Sequence, residues 1–170
     1  SKVPSTRGDE ELGFLAGGRA VVDSFDEINA VIHGTTVGTN ALLERKGAAT
    51  GIITTAGFAD VLEMRRRDRP NTWGLWGDFV PIVERDMRLE VAERTGADGT
   101  IVQEVDQAEV TAQAQALLAA GAEACCIAFI NSYANDQNER LAFEAVKLVW
   151  PNDHITSSAE LLPEVREFER

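Results

Sequence analysis

Short apolar runs alternate along this chain with segments whose apolar residues recur every three or four positions, a pattern that predicts strands interleaved with helices. Over 5–20, Leu12, Phe14 and Leu15 fit a short helix that loses definition at Gly17 and Gly18. Asp26 is placed to cap a turn before the run Ala30, Val31, Ile32, which reads as a strand ending at His33. Positions 36–46 read as a helix closed by Gly47, where glycine takes the left-handed cap at low cost. A buried strand over 49–54 and a short helix over 58–64 follow. Apolar and charged residues then alternate from Arg88 to Arg94, and a turn over 97–100 leads to a partner strand over 101–105, which together predict a hairpin. Val110, Ala114, Leu117 and Leu118 mark an amphipathic helix over 107–120 ended by Gly121. A strand over 124–130, a helix over 138–149 with Pro151 beyond it, and a strand over 155–158 complete the series.

Strands alternating with helices, without an internal repeat, argue for an α/β fold with a mixed, largely parallel sheet flanked by helices, in a single domain over 1–170. The exception to the alternation lies over 65–84, a loop containing Pro, Gly, Trp73, Trp76 and Phe79, whose aromatics suggest a lid or an interface. Its basic cluster, Arg65, Arg66, Arg67 and Arg69, fits a solvated loop, an intersubunit contact, or a contact with an anionic substrate group.

Composition narrows the class. A chain of 170 residues, 44% hydrophobic and 26% charged, can bury one core. A net charge of -12 argues against general binding of nucleic acid, which needs a clustered positive surface. No apolar stretch is long enough to span a bilayer and residues 1–6 lack a signal-peptide layout, so a cytoplasmic protein without membrane attachment is expected. Cys125 and Cys126, adjacent in a predicted strand, should point to opposite faces of a buried sheet. No spaced Cys and His set accompanies them, so no metal site is expected there.

The candidate chemistry lies where predicted strands end. Gly34, Thr35, Thr36 and Thr39, with Asn40, follow the first strand at the start of a helix, where unpaired N–H groups and hydroxyls favour an anion. Ordinary turn and cap chemistry uses the same residues. Thr54 and Thr55 lie at a second strand end, and Asn131 and Ser132, followed by Tyr133 and Asn135, at a third. These turns could line one cleft at the edge of a parallel sheet, or serve as caps. His33 has the side chain suited to proton transfer near neutrality, or it ties the turn together through its ring nitrogens. His154 reads as a surface loop residue.

The run from His33 through Gly47 resembles the histidine-glycine-threonine-threonine block of the hydantoinase A / 5-oxoprolinase family, whose relatives include acetone and acetophenone carboxylase subunits. The resemblance continues over 51–63, at Arg69 and Pro70, over 131–135, and through Pro163, Glu164, Val165, Arg166, Glu167, Phe168, Glu169 and Arg170. It implies an actin/Hsp70/sugar-kinase-like ATPase region and, for the parent protein, ATP-dependent hydrolysis of a cyclic amide such as hydantoin, N-methylhydantoin or 5-oxoproline. ATP with Mg2+ is the implied cofactor, and a homo-oligomer or a hydantoinase B-type partner subunit the implied assembly. A carboxylase subunit acting on a ketone, or a non-catalytic assembly domain, are the alternatives.

Within this resemblance His33 is the candidate catalytic residue, Gly34, Thr35, Thr36, Thr39 and Asn40 bind substrate or phosphate, and Thr54, Thr55, Asn131 and Ser132 line the cleft. Charges in the terminal block fit solvated pairs, or a segment that closes against the ATPase core. The family's aspartate-glycine-glycine-threonine phosphate loop does not occur here, which leads us to expect a piece of a longer protein, inactive alone. Gly38 stands where many members have alanine, and Asn138 with Glu139 where a histidine-glutamate pair is common, which weakens any case for a catalytic histidine on that helix.

Overall fold

The computed structural model describes residues 2–4, 9–32, 34–65 and 80–170, without the side chains of Glu10 and Glu27. The chain divides into two compact units, 1–40 and 41–170.

In the first unit, helix α1 (Glu10–Arg19) runs through Gly17 and Gly18 instead of fading there. Gly18 has a packing reason to be glycine, since a Cβ at that position would lie 2.7 Å from the ring of Phe25. The following 3-10 turn (Phe25–Glu27) is capped by Ser24, whose Oγ accepts from Asp26 N at 3.2 Å, so the capping residue is Ser24 and not Asp26. The strand expected over 30–33 is not formed at 30–32. Val31 and Ile32 are 59% and 100% exposed, and a β-branched run becomes a strand only where a ladder partner takes its backbone groups. His33 lies outside the described residues.

Helix α2 (Val37–Leu43) is shorter than the periodicity suggested. It closes in a Schellman arrangement, with Lys46 N donating to Ala41 O at 2.9 Å and Arg45 N to Leu42 O at 3.1 Å. The left-handed residue is therefore Arg45, at φ 52°, two positions before the expected Gly47. An arginine there costs on the order of 1 kcal/mol relative to glycine. Its guanidinium offsets this by donating to the carbonyls of Val80 at 2.7 Å and Pro81 at 3.0 Å.

The second unit is built on a four-stranded parallel sheet of β1 (Thr50–Thr55), β2 (Arg88–Val91), β5 (Ala124–Ala128) and β6 (Ile155–Ser157), in the order β2-β1-β5-β6. The short helix α3 (Val61–Met64) follows β1, and a separate antiparallel pair, β3 (Arg94–Thr95) with β4 (Ile101–Gln103), follows β2. The continuous strand expected from Arg88 to Arg94 is thus broken at Ala92 and Glu93. Its first half pairs parallel with β1, and its second half turns away into the small hairpin. Helices α4 (Gln107–Ala119), α5 (Gln137–Lys147) and α6 (Ser158–Leu161) complete the unit. Asp106 caps α4 by accepting from Ala108 N at 2.9 Å, and Gly121, at φ 95°, ends it as its sequence position predicted.

Register explains the core. Leu89 and Val91, Ile53 and Thr55, Cys125 and Ile127, and Ile155 and Ser157 share one face by their pairing. The apolar members pack with Val110, Ala114 and Leu117 of α4 and Ala142, Ala145 and Val146 of α5. Gly51 admits this layer, because a Cβ there would meet Leu117 at 2.7 Å. Cys125 lies buried in that face and Cys126 points to the other, as the strand alternation requires. Burial pushes their thiols up to about 12 and about 11, which keeps both as neutral packing groups.

Candidate functional site

A parallel sheet puts all its carboxyl ends at one edge, and ligands in open α/β folds bind where the strand order reverses direction. Here the chain moves from β1 to β2 on one side and returns to β5 on the other, so the reversal falls between β1 and β5. Thr54, Thr55, Asn131 and Ser132 all lie at this point, with Glu93 following β2 and Ser157 and Ser158 at the end of β6.

The polar groups here are buried and closed on one another. Thr55, fully buried, donates its hydroxyl to Glu93 Oε1 and accepts from Ile130 N at 2.9 Å. Glu93 Oε2 accepts from Asn138 Nδ2 at 2.7 Å, and Asn138 Oδ1 accepts from Val105 N at 3.2 Å. Desolvation raises the Glu93 carboxyl above the usual carboxylate range, against the lowering effect of the Thr55 and Asn138 hydrogen bonds and of Arg94, and with the Glu139 charge adding to the rise.

Glu139 gathers a second cluster. Its Oε1 accepts from Phe129 N at 2.7 Å and Ser158 Oγ at 2.6 Å, and its Oε2 from Ser157 Oγ at 2.7 Å and Ala159 N at 2.8 Å. One carboxylate thereby ties α5 to the ends of β5 and β6.

Asn131 and Asn135 anchor the hairpin. Asn131 Nδ2 donates to Thr95 O at 2.9 Å and Asn135 Nδ2 to Gly99 O at 2.8 Å. Gly99 is at φ 81°, and a Cβ there would stand 3.1 Å from Ala134 O. Ser132 is buried with its Oγ 3.4 Å from Ser158 Oγ. Among the described residues, the buried Thr95 hydroxyl has no hydrogen-bond partner. Thr54 faces the other side of the sheet, where its hydroxyl donates to Ala128 O at 2.7 Å beside a small pocket lined by Ile52, Phe58, Leu62 and Ile130. The turn after β1 is also filled from within, since Glu90 Oε1 accepts from both Gly57 N and Ala59 N at 3.1 Å.

The terminal block differs from the solvated pairs its composition suggested. The Arg170 side chain, 1% exposed, donates to Phe129 O at 2.6 Å, Ser158 Oγ at 2.8 Å and Glu164 O at 2.9 Å, and its guanidinium lies 5.9 Å from the centre of the Tyr133 ring. Glu167 accepts from Asn131 N at 3.0 Å, while Arg166 is exposed. His154 lies on the surface as expected.

Gly34, Thr35, Thr36, Thr39 and Asn40 form the contrasting group in the first unit. All are exposed, and the hydrogen bonds of Thr35, Thr36 and Asn40 are local: Val37 N to Thr35 Oγ1 at 3.2 Å, and Asn40 Nδ2 to Thr36 Oγ1 at 3.4 Å. Both hydroxyl oxygens accept in these bonds, and among the described residues neither O–H has an acceptor. Among the described residues, nothing stands within 4 Å of a Cβ built on Gly34 or Gly38, so none of them blocks approach to the backbone there. Glu93, Glu139 and Arg170 belong to this polar edge without a local sequence signal, because charged residues among apolar neighbours read as solvated faces.

A parallel α/β sheet with a polar, internally tied carboxyl edge defines the class, and comparison with known proteins defines the family. Residues 1–149 match the model of the hydantoinase/oxoprolinase N-terminal region, and the chain belongs to that family. It is 34% identical over 173 residues to an uncharacterised protein of Methanocaldococcus jannaschii, covering 99% of this chain and 25% of that protein. It is 29% identical over 193 residues to the acetophenone carboxylase gamma subunit of Aromatoleum aromaticum, covering 100% of this chain and 26% of that subunit. The crystal structure of the ATP-dependent caprolactamase of Pseudomonas jessenii superposes with a TM-score of 0.80 at 26% identity, over 97% of this chain and 26% of that one. The chain thus spans about a quarter of the length of these relatives. Among the described residues, no helix is long and apolar enough to cross a membrane.

Proposed function

We propose that this chain is the N-terminal part of an ATP-dependent enzyme that opens a cyclic amide by hydrolysis, with hydantoin, N-methylhydantoin and 5-oxoproline as the substrate class. The supporting observation is the family match over 1–149, joined to the likeness to an enzyme named for caprolactam, itself a cyclic amide. A ring amide is resonance-stabilised, so its carbonyl carbon is a poor electrophile. ATP, bound as its magnesium complex, would supply a phosphoryl group to the amide oxygen with release of ADP, and water attack at the activated carbon would then open the ring C–N bond with release of phosphate.

The residues over 34–40 fit such a group through the chemistry of their donors. The hydroxyls of Thr35, Thr36 and Thr39 and the backbone at Gly34 and Gly38 supply donors to phosphate or to the developing oxyanion. Asn40, held by Thr36, fixes the turn. Because α2 has only seven residues, these hydroxyls and backbone donors carry the role, not a helix dipole. His33 moves a proton between the attacking water and the leaving ring nitrogen. Within the second unit, Thr54, Thr55, Asn131 and Ser132 are the candidate cleft-lining residues at the carboxyl edge of the sheet. A partner subunit completes the enzyme, in keeping with the relative that is itself a gamma subunit.

Likeness to that subunit also supports a second reading, ATP-dependent carboxylation of a ketone. The test is ring opening by the full-length parent, followed as ADP release and open-chain product, in wild type and His33→Ala. The amide reading expects ATP-dependent product from wild type and at least about a hundredfold less from His33→Ala with unchanged melting. Product formation only from ketone with bicarbonate favours the second reading, and unchanged turnover in His33→Ala removes the histidine from the mechanism.

A further inference from the structure

We infer that Glu139, Glu167 and Arg170 are positioning residues that fix the turn at 129–131, the part of the sheet edge that β5 contributes beside the reversal of strand order. The inference rests on the functional reading above and assigns a role to residues outside the proposed substrate contacts.

Four polar groups of this turn's backbone are taken by side chains from three places in the fold: α5, β1 and the terminal block. Phe129 N donates to Glu139 of α5 at 2.7 Å, and Phe129 O accepts from Arg170 at 2.6 Å. Ile130 N donates to Thr55 of β1 at 2.9 Å, and Asn131 N to Glu167 at 3.0 Å. A strand that passes into a loop ordinarily leaves such groups to water. Here two fully or nearly fully buried ionisable side chains and a third partly buried one hold three of the four: Glu139 is 0% exposed, and the side chains of Arg170 and Glu167 are 1% and 29% exposed.

Burying a carboxylate and a guanidinium is costly even when each is well hydrogen-bonded. A turn that needed only to connect two elements could be closed with neutral side chains. Asn131 also sits at φ 56°, the left-handed region, which asparagine adopts more readily than other non-glycine residues and which suits this sharp turn. Its own side chain donates to Thr95 O, so the turn is fixed from the sheet, from α5, from the hairpin and from the terminal block together. Such over-determination is what preorganisation of a site requires, because a displacement of about 1 Å in a positioned group costs as much as a hundredfold in rate.

Glu167 is the member to change, being partly exposed and bonded to the turn through one oxygen. In the full-length parent, Glu167→Ala removes the acceptor of Asn131 N, whereas Glu167→Gln keeps an acceptor oxygen and removes only the charge. We expect Glu167→Ala to lower kcat/KM for the ring substrate by about tenfold or more, with KM for ATP and the melting temperature near wild type, and Glu167→Gln to restore it to within about twofold. Amide exchange at Ile130 and Asn131 should quicken in Glu167→Ala and return to wild-type protection in Glu167→Gln. Wild-type kinetics in Glu167→Ala overturn the inference, as does a loss that Glu167→Gln shares or that follows a fall in melting temperature. If the wild-type parent opens no ring compound, the amide reading fails by itself. Kinetics with ketone and bicarbonate then take the place of the ring assay, and unaltered exchange at the turn in Glu167→Ala still overturns the positioning role.

Discussion

The segment over 34–40, with three threonines and an asparagine, and the carboxyl edge of the parallel sheet, with threonines, serines and asparagines, use these polar side chains in opposite ways. At the sheet edge Thr55, Ser132, Ser157 and Ser158 are buried, and every one of them has a partner inside the chain. Over 34–40 threonine and asparagine are exposed, and Thr35 and Thr36 accept local bonds while neither O–H has an acceptor among the described residues. Desolvation makes the difference: a buried hydroxyl without a partner costs about 1–3 kcal/mol, whereas an exposed one exchanges its partner with water or a ligand at little cost. Residue type alone therefore does not identify a binding group. What identifies it is whether the protein has already used its hydrogen-bonding capacity.

The sharpest way to break the contrast is Glu139→Ala. It strands the N–H groups of Phe129 and Ala159 and the hydroxyls of Ser157 and Ser158, and should cost about 3–5 kcal/mol in urea unfolding. Next in size is Thr55→Val, of nearly the same shape, which removes the donor to Glu93 and the acceptor for Ile130 N and should cost about 1–3 kcal/mol by the same measurement.

A smaller, pH-dependent effect belongs to Glu93. Its carboxyl is raised by burial, so the folded state holds the proton more tightly than the unfolded chain does. Its contribution is therefore fully present below the ordinary glutamate pKa and is lost as pH rises through the raised value. Glu93→Gln should remove that slope from a series of unfolding curves, and an unchanged slope would assign it to another group. At the other end of the scale, Thr36→Ala should shift stability by less than about 0.5 kcal/mol, because its side-chain bond is exposed. The same variant should lower ATP-dependent ring opening by the full-length parent at least about tenfold.

Much of the sheet was legible in the sequence because burial leaves a period. Ile53, Ile127 and the α4 residues Val110, Ala114 and Leu117 follow the expected alternation and helical spacing, and Gly121 ended its helix where predicted. Elements that depend on distant partners were not legible. Val31 and Ile32 have strand propensity and no ladder, and the break at Ala92 and Glu93 depends on which neighbour each half of the run finds. Arg45 takes the left-handed cap in place of Gly47 because its guanidinium reaches carbonyls at Val80 and Pro81, a contact thirty-five positions away in the chain for Val80. At the candidate site, the grouping of Thr54, Thr55, Asn131 and Ser132 at one sheet edge followed from strand-end logic. Glu93, Glu139 and Arg170 did not, since nothing in a charged residue's local sequence says that it will be buried.

The most direct test of the account is ATP turnover by the full-length parent, with its partner subunit, in the presence of hydantoin, N-methylhydantoin or 5-oxoproline, and in parallel with acetone or acetophenone plus bicarbonate. One of the ring compounds is expected to stimulate ATP hydrolysis and to be opened itself. Stimulation by a ketone with bicarbonate alone, or no turnover under any of these conditions from a folded protein, would contradict it.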